Sequence, residues 1–232
     1  MVQVAWQELV DAVSADDPSG NGGTARLISF PTDTVPALAA RPDRADLIFA
    51  AKQRPPDKPL ILMAATLADL WRYVAGSEAE RQIWREVARR YWPGALTLVL
   101  PASDRLPPGM NPTDPTTIGV RIPDHAIART ILQATGPLAT TSVNRSGEPP
   151  LLTMREIEEQ FPDVLTLADA EAIALDRHYG TRPDASGIPS TVVRWQGSRW
   201  QVLRQGAVAL AAPLGEMPQP PIHPDRTEET NP

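Results

Sequence analysis

Apolar residues recur at helical spacing near the start of the chain: Trp6, Leu9, Val10 and Val13 predict an amphipathic helix over 6–15. A loop rich in Gly, Asp, Ser and Pro follows. The run over 24–30 then reads as a strand stopped by Pro31, whose nitrogen cannot donate to a ladder. Asp43 is placed to cap a helix reaching about Lys52, with Leu47, Ile48 and Ala51 inward. Pro59 opens an unbroken apolar run over 60–65, typical of a strand buried on both faces. Thr66 can cap a further helix, which Gly76 ends. Ser77 and Glu80 stand at the spacing at which a hydroxyl and a carboxylate satisfy each other's exposed backbone N–H groups, and predict a helix to about Tyr91.

Strands are predicted over 95–100, 117–122 and 138–142. A long loop rich in Pro, Asp and Asn lies over 101–116, and a helix capped by Asp124 ends near Gly136. Thr153 and Glu156 repeat the capping-box spacing, and 190–195 with 199–204 reads as a hairpin turning at Gln196-Gly197-Ser198. Strands and helices alternate, so the fold class is α/β; the late hairpin makes the sheet mixed. The expectation is a twisted mixed parallel/antiparallel sheet flanked by helices. From about 212 onward prolines and charges replace apolar periodicity, so 1–211 is read as one folded domain and 212–232 as a Pro-rich disordered tail.

Composition narrows the chemistry. With no cysteine, thiolate catalysis, disulfides and cysteine-bound zinc are excluded. The histidines, His125, His178 and His223, lack metal-ligand spacing and are read as surface residues, so no metal site is expected. No signal segment and no membrane-crossing run is read, which points to the cytoplasm. A net charge of -6 argues against general polyanion binding but leaves room for a small anion held by a few placed cations. Lys52 and Lys58, the only lysines, stand within one short segment.

That segment is Lys52-Gln53-Arg54-Pro55-Pro56-Asp57-Lys58-Pro59. It has two readings: three cations gripping a triphosphate, or a favourable charge at a helix C-terminus followed by a solvated loop. Pro31-Thr32-Asp33-Thr34-Val35 follows a strand, where open α/β sheets present ligand crevices, and equally suits a capped turn. Tyr91-Trp92-Pro93-Gly94 reads as a tight turn anchored by packing. Arg121 lies inside a strand and must face solvent or an anion, for which a substrate carboxylate would serve. Thr140-Thr141-Ser142-Val143-Asn144-Arg145-Ser146-Gly147 is dense in donors and suits a ribose, a phosphate or a plain polar connection. Ser190 and Arg204 stand near the ends of adjacent strands. There is no Walker loop, no dinucleotide fingerprint and no nucleophile elbow.

Taken in order, these segments resemble the YrdC family of threonylcarbamoyl-AMP synthases in its bacterial short form. The resemblance spans about 6–208 and is carried by six motifs. They are Phe30 to Val35; Lys52, Arg54, Pro55 and Lys58; Trp92 to Leu98; Val120 to His125; Ser142 to Gly147; and the closing Ser190-Thr191-Val192-Val193 with Leu203-Arg204-Gln205-Gly206. It implies a YrdC-like open fold with 1–211 as the catalytic domain. The implied activity is an L-threonylcarbamoyladenylate synthase, joining L-threonine, bicarbonate and ATP with Mg2+ and releasing pyrophosphate. The implied partner is a downstream tRNA threonylcarbamoyl transferase. Carried over residue by residue, Lys52 and Arg54 would be catalytic. Thr34, Arg121, Thr140 and Ser190 would bind L-threonine. Arg54, Lys58, Thr117, Ser142, Asn144 and Arg204 would bind ATP. The chain departs from the family pattern at Pro36-Ala37, where Tyr-Gly is usual, and at Val143, Met63 and His178-Tyr179-Gly180. Two other readings are a paralogue with divergent activity and a module binding double-stranded RNA or tRNA through the stripe of Arg81, Arg85 and Arg89.

Overall fold

The computed structural model of this chain describes residues 3–15, 26–53, 58–179 and 185–210. The strands are β1 (Gln3–Val4), β2 (Ile28–Phe30), β3 (Ala37–Ala40), β4 (Ile61–Met63), β5 (Leu96–Pro101), β6 (Thr117–Arg121), β7 (Leu138–Ser142), β8 (Leu165–Leu167), β9 (Thr191–Trp195) and β10 (Trp200–Arg204). The helices are α1 (Trp6–Ser14), α2 (Ala45–Ala51), α3 (Leu67–Trp71), α4 (Glu78–Tyr91), α5 (Ala126–Thr135), α6 (Met154–Gln160) and α7 (Asp169–Tyr179). The strands form one mixed sheet, ordered β1-β8-β2-β3-β7-β4-β6-β5-β9-β10.

The register decides where a ligand can sit. Side chains alternate along a strand, so a row of paired residues shares one face. One row runs Ala40, Ala139, Leu62, Val120, Leu98, Val193 across six strands. Every member belongs to the larger core, where α2, α3, α4 and α6 cover that face with residues such as Ile48, Leu70, Trp84 and Ile157. The adjacent row runs Ala39, Thr140, Ile61, Gly119, Val99, Arg194 and faces the other way. Leu9 and Val13 of α1 and Ile127 and Ile131 of α5 cover that second face along β1, β8, β2 and β3 and at Leu138 of β7 and Met63 of β4. Its remainder, across β7, β4, β6, β5 and β9, is the floor of a cavity.

Local chemistry explains the sharpest element boundaries. Ser77 accepts the Glu80 N–H while Glu80 accepts the Ser77 N–H, and Thr153 with Glu156 does the same, so α4 and α6 start where the sequence places them. Glu80 also accepts from Trp195 Nε1 at 2.9 Å, which ties the start of α4 to β9. The Trp84 indole stands edge-on to Trp71 and Trp195 at 6.5 and 6.2 Å, and a side chain at Gly76 would enter it.

Several boundaries differ from expectation. Asp43 does not cap α2: Arg41 takes its carboxylate through Nε and Nη2 at 3.0 and 2.7 Å, inside a 3-10 turn at Pro42–Arg44. Asp124 does not cap α5 either; His125 holds that position without a side-chain capping bond, and the Asp124 N–H is drawn to Asp33. His125 is accordingly part-buried, whereas His178 is exposed. The helix after Thr66 stops at Trp71, well before Gly76, because Val74 leaves it to bridge Ala102. β1, β3, β8 and α7 were not expected. The start of the strand over 24–30, Gly180, His223 and the tail over 212–232 lie outside the described residues.

Candidate active site

The cavity on the open sheet face measures about 580 Å³. Among the described residues lining it are the cations Lys52, Lys58, Arg121, Arg194 and Arg204, against a single carboxylate, Asp114. Such a wall attracts anions. Gly119 leaves the floor low: a side chain there would press on Thr97 and Ile61.

At one end Arg121 is 2% exposed and held from three directions. It donates through Nη2 to Asp33 Oδ1 at 2.7 Å, through Nη1 to Thr34 Oγ1 at 2.9 Å and through Nε to the Gly94 carbonyl at 3.0 Å. The anion that sequence reasoning required is therefore Asp33, and the guanidinium's five N–H donors leave two for a ligand after these bonds. Burial pushes Arg121 below its ordinary pKa; the charge and hydrogen bond of Asp33 oppose that, and Arg204 adds a smaller repulsion. An anion between the two arginines relieves the repulsion. The Trp92-Pro93-Gly94 turn, read as packing alone, thus aims Arg121. A side chain on Gly94 would strike the Tyr91 carbonyl, so the turn is built around that position. Asp33 is further held by the Asp124 N–H at 3.1 Å, and the backbone carbonyls of Asp33 and Thr34 accept from the N–H groups of Ser186 and Gly187 at 3.2 and 2.9 Å.

Lys52 is 1% exposed, and its ammonium is spread over three protein oxygens: Ser142 O and Asn144 O at 2.6 Å and Asn144 Oδ1 at 2.9 Å. Asn144 Oδ1 also accepts from Ser142 Oγ at 2.7 Å, while Asn144 Nδ2 donates to the carbonyls of Arg145 and Glu148. Lys52 and Asn144 together shape the loop that ends β7. Thr140 is fully buried and donates to the Ile61 carbonyl at 2.9 Å.

At the same end as Arg121, Ser190 Oγ shares a hydrogen bond with Thr97 Oγ1 at 2.8 Å, and Arg204 clasps the Ser190 carbonyl through Nη2 and Nε at 2.8 and 3.2 Å. Gly206 packs directly on the Pro189 and Ser190 backbone where a side chain could not enter. Thr117 donates to Asp114 Oδ2 at 3.0 Å and accepts from Asn111; the same Asp114 oxygen receives Arg194 at 3.2 Å. Asp114 is held below its ordinary carboxylate value by the Thr116 hydroxyl, against the effect of partial burial, with Thr117 and Arg194 adding to the lowering.

The sequence-predicted residues Thr34, Lys52, Lys58, Thr117, Arg121, Thr140, Ser142, Asn144, Ser190 and Arg204 all line this one cavity. Arg54 lies outside the described residues. Pro36, Ala37 and Met63, three of the departures from the family pattern, line it as well, whereas Val143 faces the core. Missing from the expected set were Asp33, Gly94, Thr97, Asn111, Asp114 and Arg194. The motif around Asp33 was visible in sequence; its pairing with a residue 88 positions away was not. The arginine stripe on α4 is partly committed to the protein: Arg81 donates to the Val74 and Gly76 carbonyls and Arg85 pairs with Glu78 at 2.5 Å.

A family model for Sua5, YciO and YrdC proteins, described as Telomere recombination, matches residues 23–206. The chain belongs to this family. A Vibrio campbellii threonylcarbamoyl-AMP synthase is 36% identical over 146 residues, covering 61% of this chain and 78% of that protein. A Bacillus subtilis threonylcarbamoyl-AMP synthase is 36% identical over 152 residues, again 61% of this chain but only 43% of its own length. Among solved structures, Sua5 of P. abyssi complexed with L-threonine superposes with a TM-score of 0.65 and 31% identity, over 78% of this chain and 50% of that one. This member of the Sua5/YciO/YrdC family thus spans about half the length of the longer relatives. No helix among its described residues is long and apolar enough to cross a membrane, and no cluster of His, Cys, Asp or Glu there suits a metal ion.

Proposed function

We propose that the chain is an L-threonylcarbamoyladenylate synthase. Threonine, bicarbonate and ATP give threonylcarbamoyl-AMP, pyrophosphate and water, for the threonylcarbamoyl-adenosine modification of tRNA. The observation that carries this reading is the split character of the cavity. A buried arginine with two donors to spare stands beside hydroxyls at one end, and further cations line the walls. An amino acid carboxylate suits the first and a triphosphate the second.

In this reading the α-carboxylate of threonine lies on Arg121, and ATP lies along Lys58, Ser142, Thr117 and Arg204, with Arg54 gripping phosphate. The amine adds to carbon of bicarbonate or CO2. The resulting carbamate oxygen attacks the α-phosphorus, and the bond to the bridging oxygen of pyrophosphate breaks. No protein nucleophile takes part, so the residues act by positioning and by stabilising charge on phosphorus. Mg2+ enters as the ATP complex, since it prefers an octahedral oxygen set that phosphates and water supply. The mixed anhydride is prone to hydrolysis, and a tRNA threonylcarbamoyl transferase in the cytoplasm is the consumer this chemistry calls for. Pyrophosphate release measured with and without threonine and bicarbonate tests the proposal. Release that ignores threonine, or none at all, would falsify it.

A further inference from the structure

Thr32 has no role in the assignments above, yet it is fully buried two residues before Thr34. Its Oγ1 donates to the Val35 carbonyl at 2.7 Å and accepts the Thr34 N–H at 3.1 Å. A hydroxyl has one proton and two lone pairs. Thr32 can therefore offer the Thr34 hydroxyl, 3.1 Å away, only its second lone pair. Thr34 must donate there; were its proton turned into the cavity, two buried oxygens would meet lone pair to lone pair. Arg121 Nη1 fills one lone pair of Thr34 at 2.9 Å. What Thr34 presents to the cavity is a single acceptor site. Thr140, whose proton goes to the Ile61 carbonyl, has the same polarity.

We propose that Thr32 is a positioning residue: it fixes the Thr34 hydroxyl as an acceptor and makes it the seat of the substrate's amino group. This rests on the threonine reading of the cavity. A carboxylate on the remaining N–H groups of Arg121 places the α-amine one carbon further on, within reach of an oxygen already bonded to that guanidinium. An acceptor there takes one amine N–H and leaves the nitrogen lone pair of the neutral amine directed away, toward the incoming carbon. A donor there would bond to that lone pair and block the attack. The polarity imposed by Thr32 thus favours carboxylation of the amine.

The test uses Thr32→Val, which keeps the shape and removes the hydroxyl, and Thr32→Ser, which keeps the hydroxyl. Pyrophosphate release is followed against threonine and ATP, with (R)-3-hydroxybutanoate, which lacks only the amine, as competitor. Thr32→Val is expected to raise the threonine KM roughly tenfold, the upper end for a single neutral hydrogen bond. The ATP KM and the inhibition constant of 3-hydroxybutanoate should stay put, and Thr32→Ser should return the threonine KM to within about threefold of the parent. An unchanged threonine KM in folded Thr32→Val overturns the inference, as does a parallel loss of threonine and 3-hydroxybutanoate. If Thr32→Val does not fold, Thr34→Val decides by the same selective signature. A parent chain with no threonine-dependent release defeats the threonine reading itself, and this inference with it.

Discussion

Replacing Lys52 by methionine separates two jobs that one ammonium could do. Its three bonds, to Ser142 O, Asn144 O and Asn144 Oδ1, hold the loop after β7 from beneath. Lys52→Met takes the donor from two backbone carbonyls, whereas Asn144 Oδ1 keeps the Ser142 hydroxyl. A buried polar group left without its partner costs about 1–3 kcal/mol. Two such groups, less roughly 1 kcal/mol recovered by the apolar methionine, give a loss of about 1–5 kcal/mol. At roughly 2–4 °C per kcal/mol for a chain of this length, Tm should fall by about 2–20 °C. Turnover should fall as well, because Ser142 moves with the loop. The assay is a thermal melt by circular dichroism, paired with threonine-dependent pyrophosphate release well below the variant's Tm. A melt within about 1 °C of the parent combined with lost turnover would refute the reasoning: the ammonium would then act on the ligand and not on the loop.

Asp33→Asn leaves Arg121 buried without its counter-charge and should destabilise the fold by about 3–5 kcal/mol in urea titration, as broken buried pairs do; a loss under about 1 kcal/mol contradicts the pairing. Gly94→Ala sets a methyl group against the Tyr91 carbonyl and displaces the acceptor of Arg121 Nε, so the threonine KM should rise while the ATP KM holds; equal rises in both would reject the link. Ser77→Ala removes half of a capping box far from the cavity and should cost about 1 kcal/mol with activity unchanged, read by melting and pyrophosphate release. Asp114 has a folded pKa below its ordinary value of 3.8. Its contribution to stability is therefore present above about that pH and lost as pH falls through the lower folded value. Asp114→Asn should flatten that part of the acid-side decline in Tm, and parallel curves for parent and variant would count against it.

What sequence could show was governed by range. Capping boxes at Ser77 and Thr153 are contained within four residues and were legible in full. The mixed sheet followed from alternation plus one hairpin. β3 was hidden because Ala37-Leu38-Ala39-Ala40 is buried on both faces and rich in alanine, so neither alternation nor β-propensity marks it. β8 is too short for a period, and α7 lacks an apolar stripe. In the site, residue types were legible wherever a motif was compact, as in the loop after β7. Partners were not: Asp33 with Arg121, Gly94 with Arg121 and Arg194 with Asp114 are brought together by the sheet. The two expected caps fail for different reasons: Arg41 takes the Asp43 carboxylate, and the N-cap position of α5 falls one residue beyond Asp124, on His125.

The two adjacent rows on the sheet have an evolutionary consequence. Along β6, Arg121 lies in the cavity while Val120 lies in the core, and the same alternation holds on β5, β4 and β9. Inserting or deleting one residue within any of these strands would exchange lining for packing, and in β6 and β9 would place Arg121 or Arg194 among apolar residues. Changes of length are therefore expected in the connections, such as the stretch between β5 and β6, while the central strands tolerate change only by substitution.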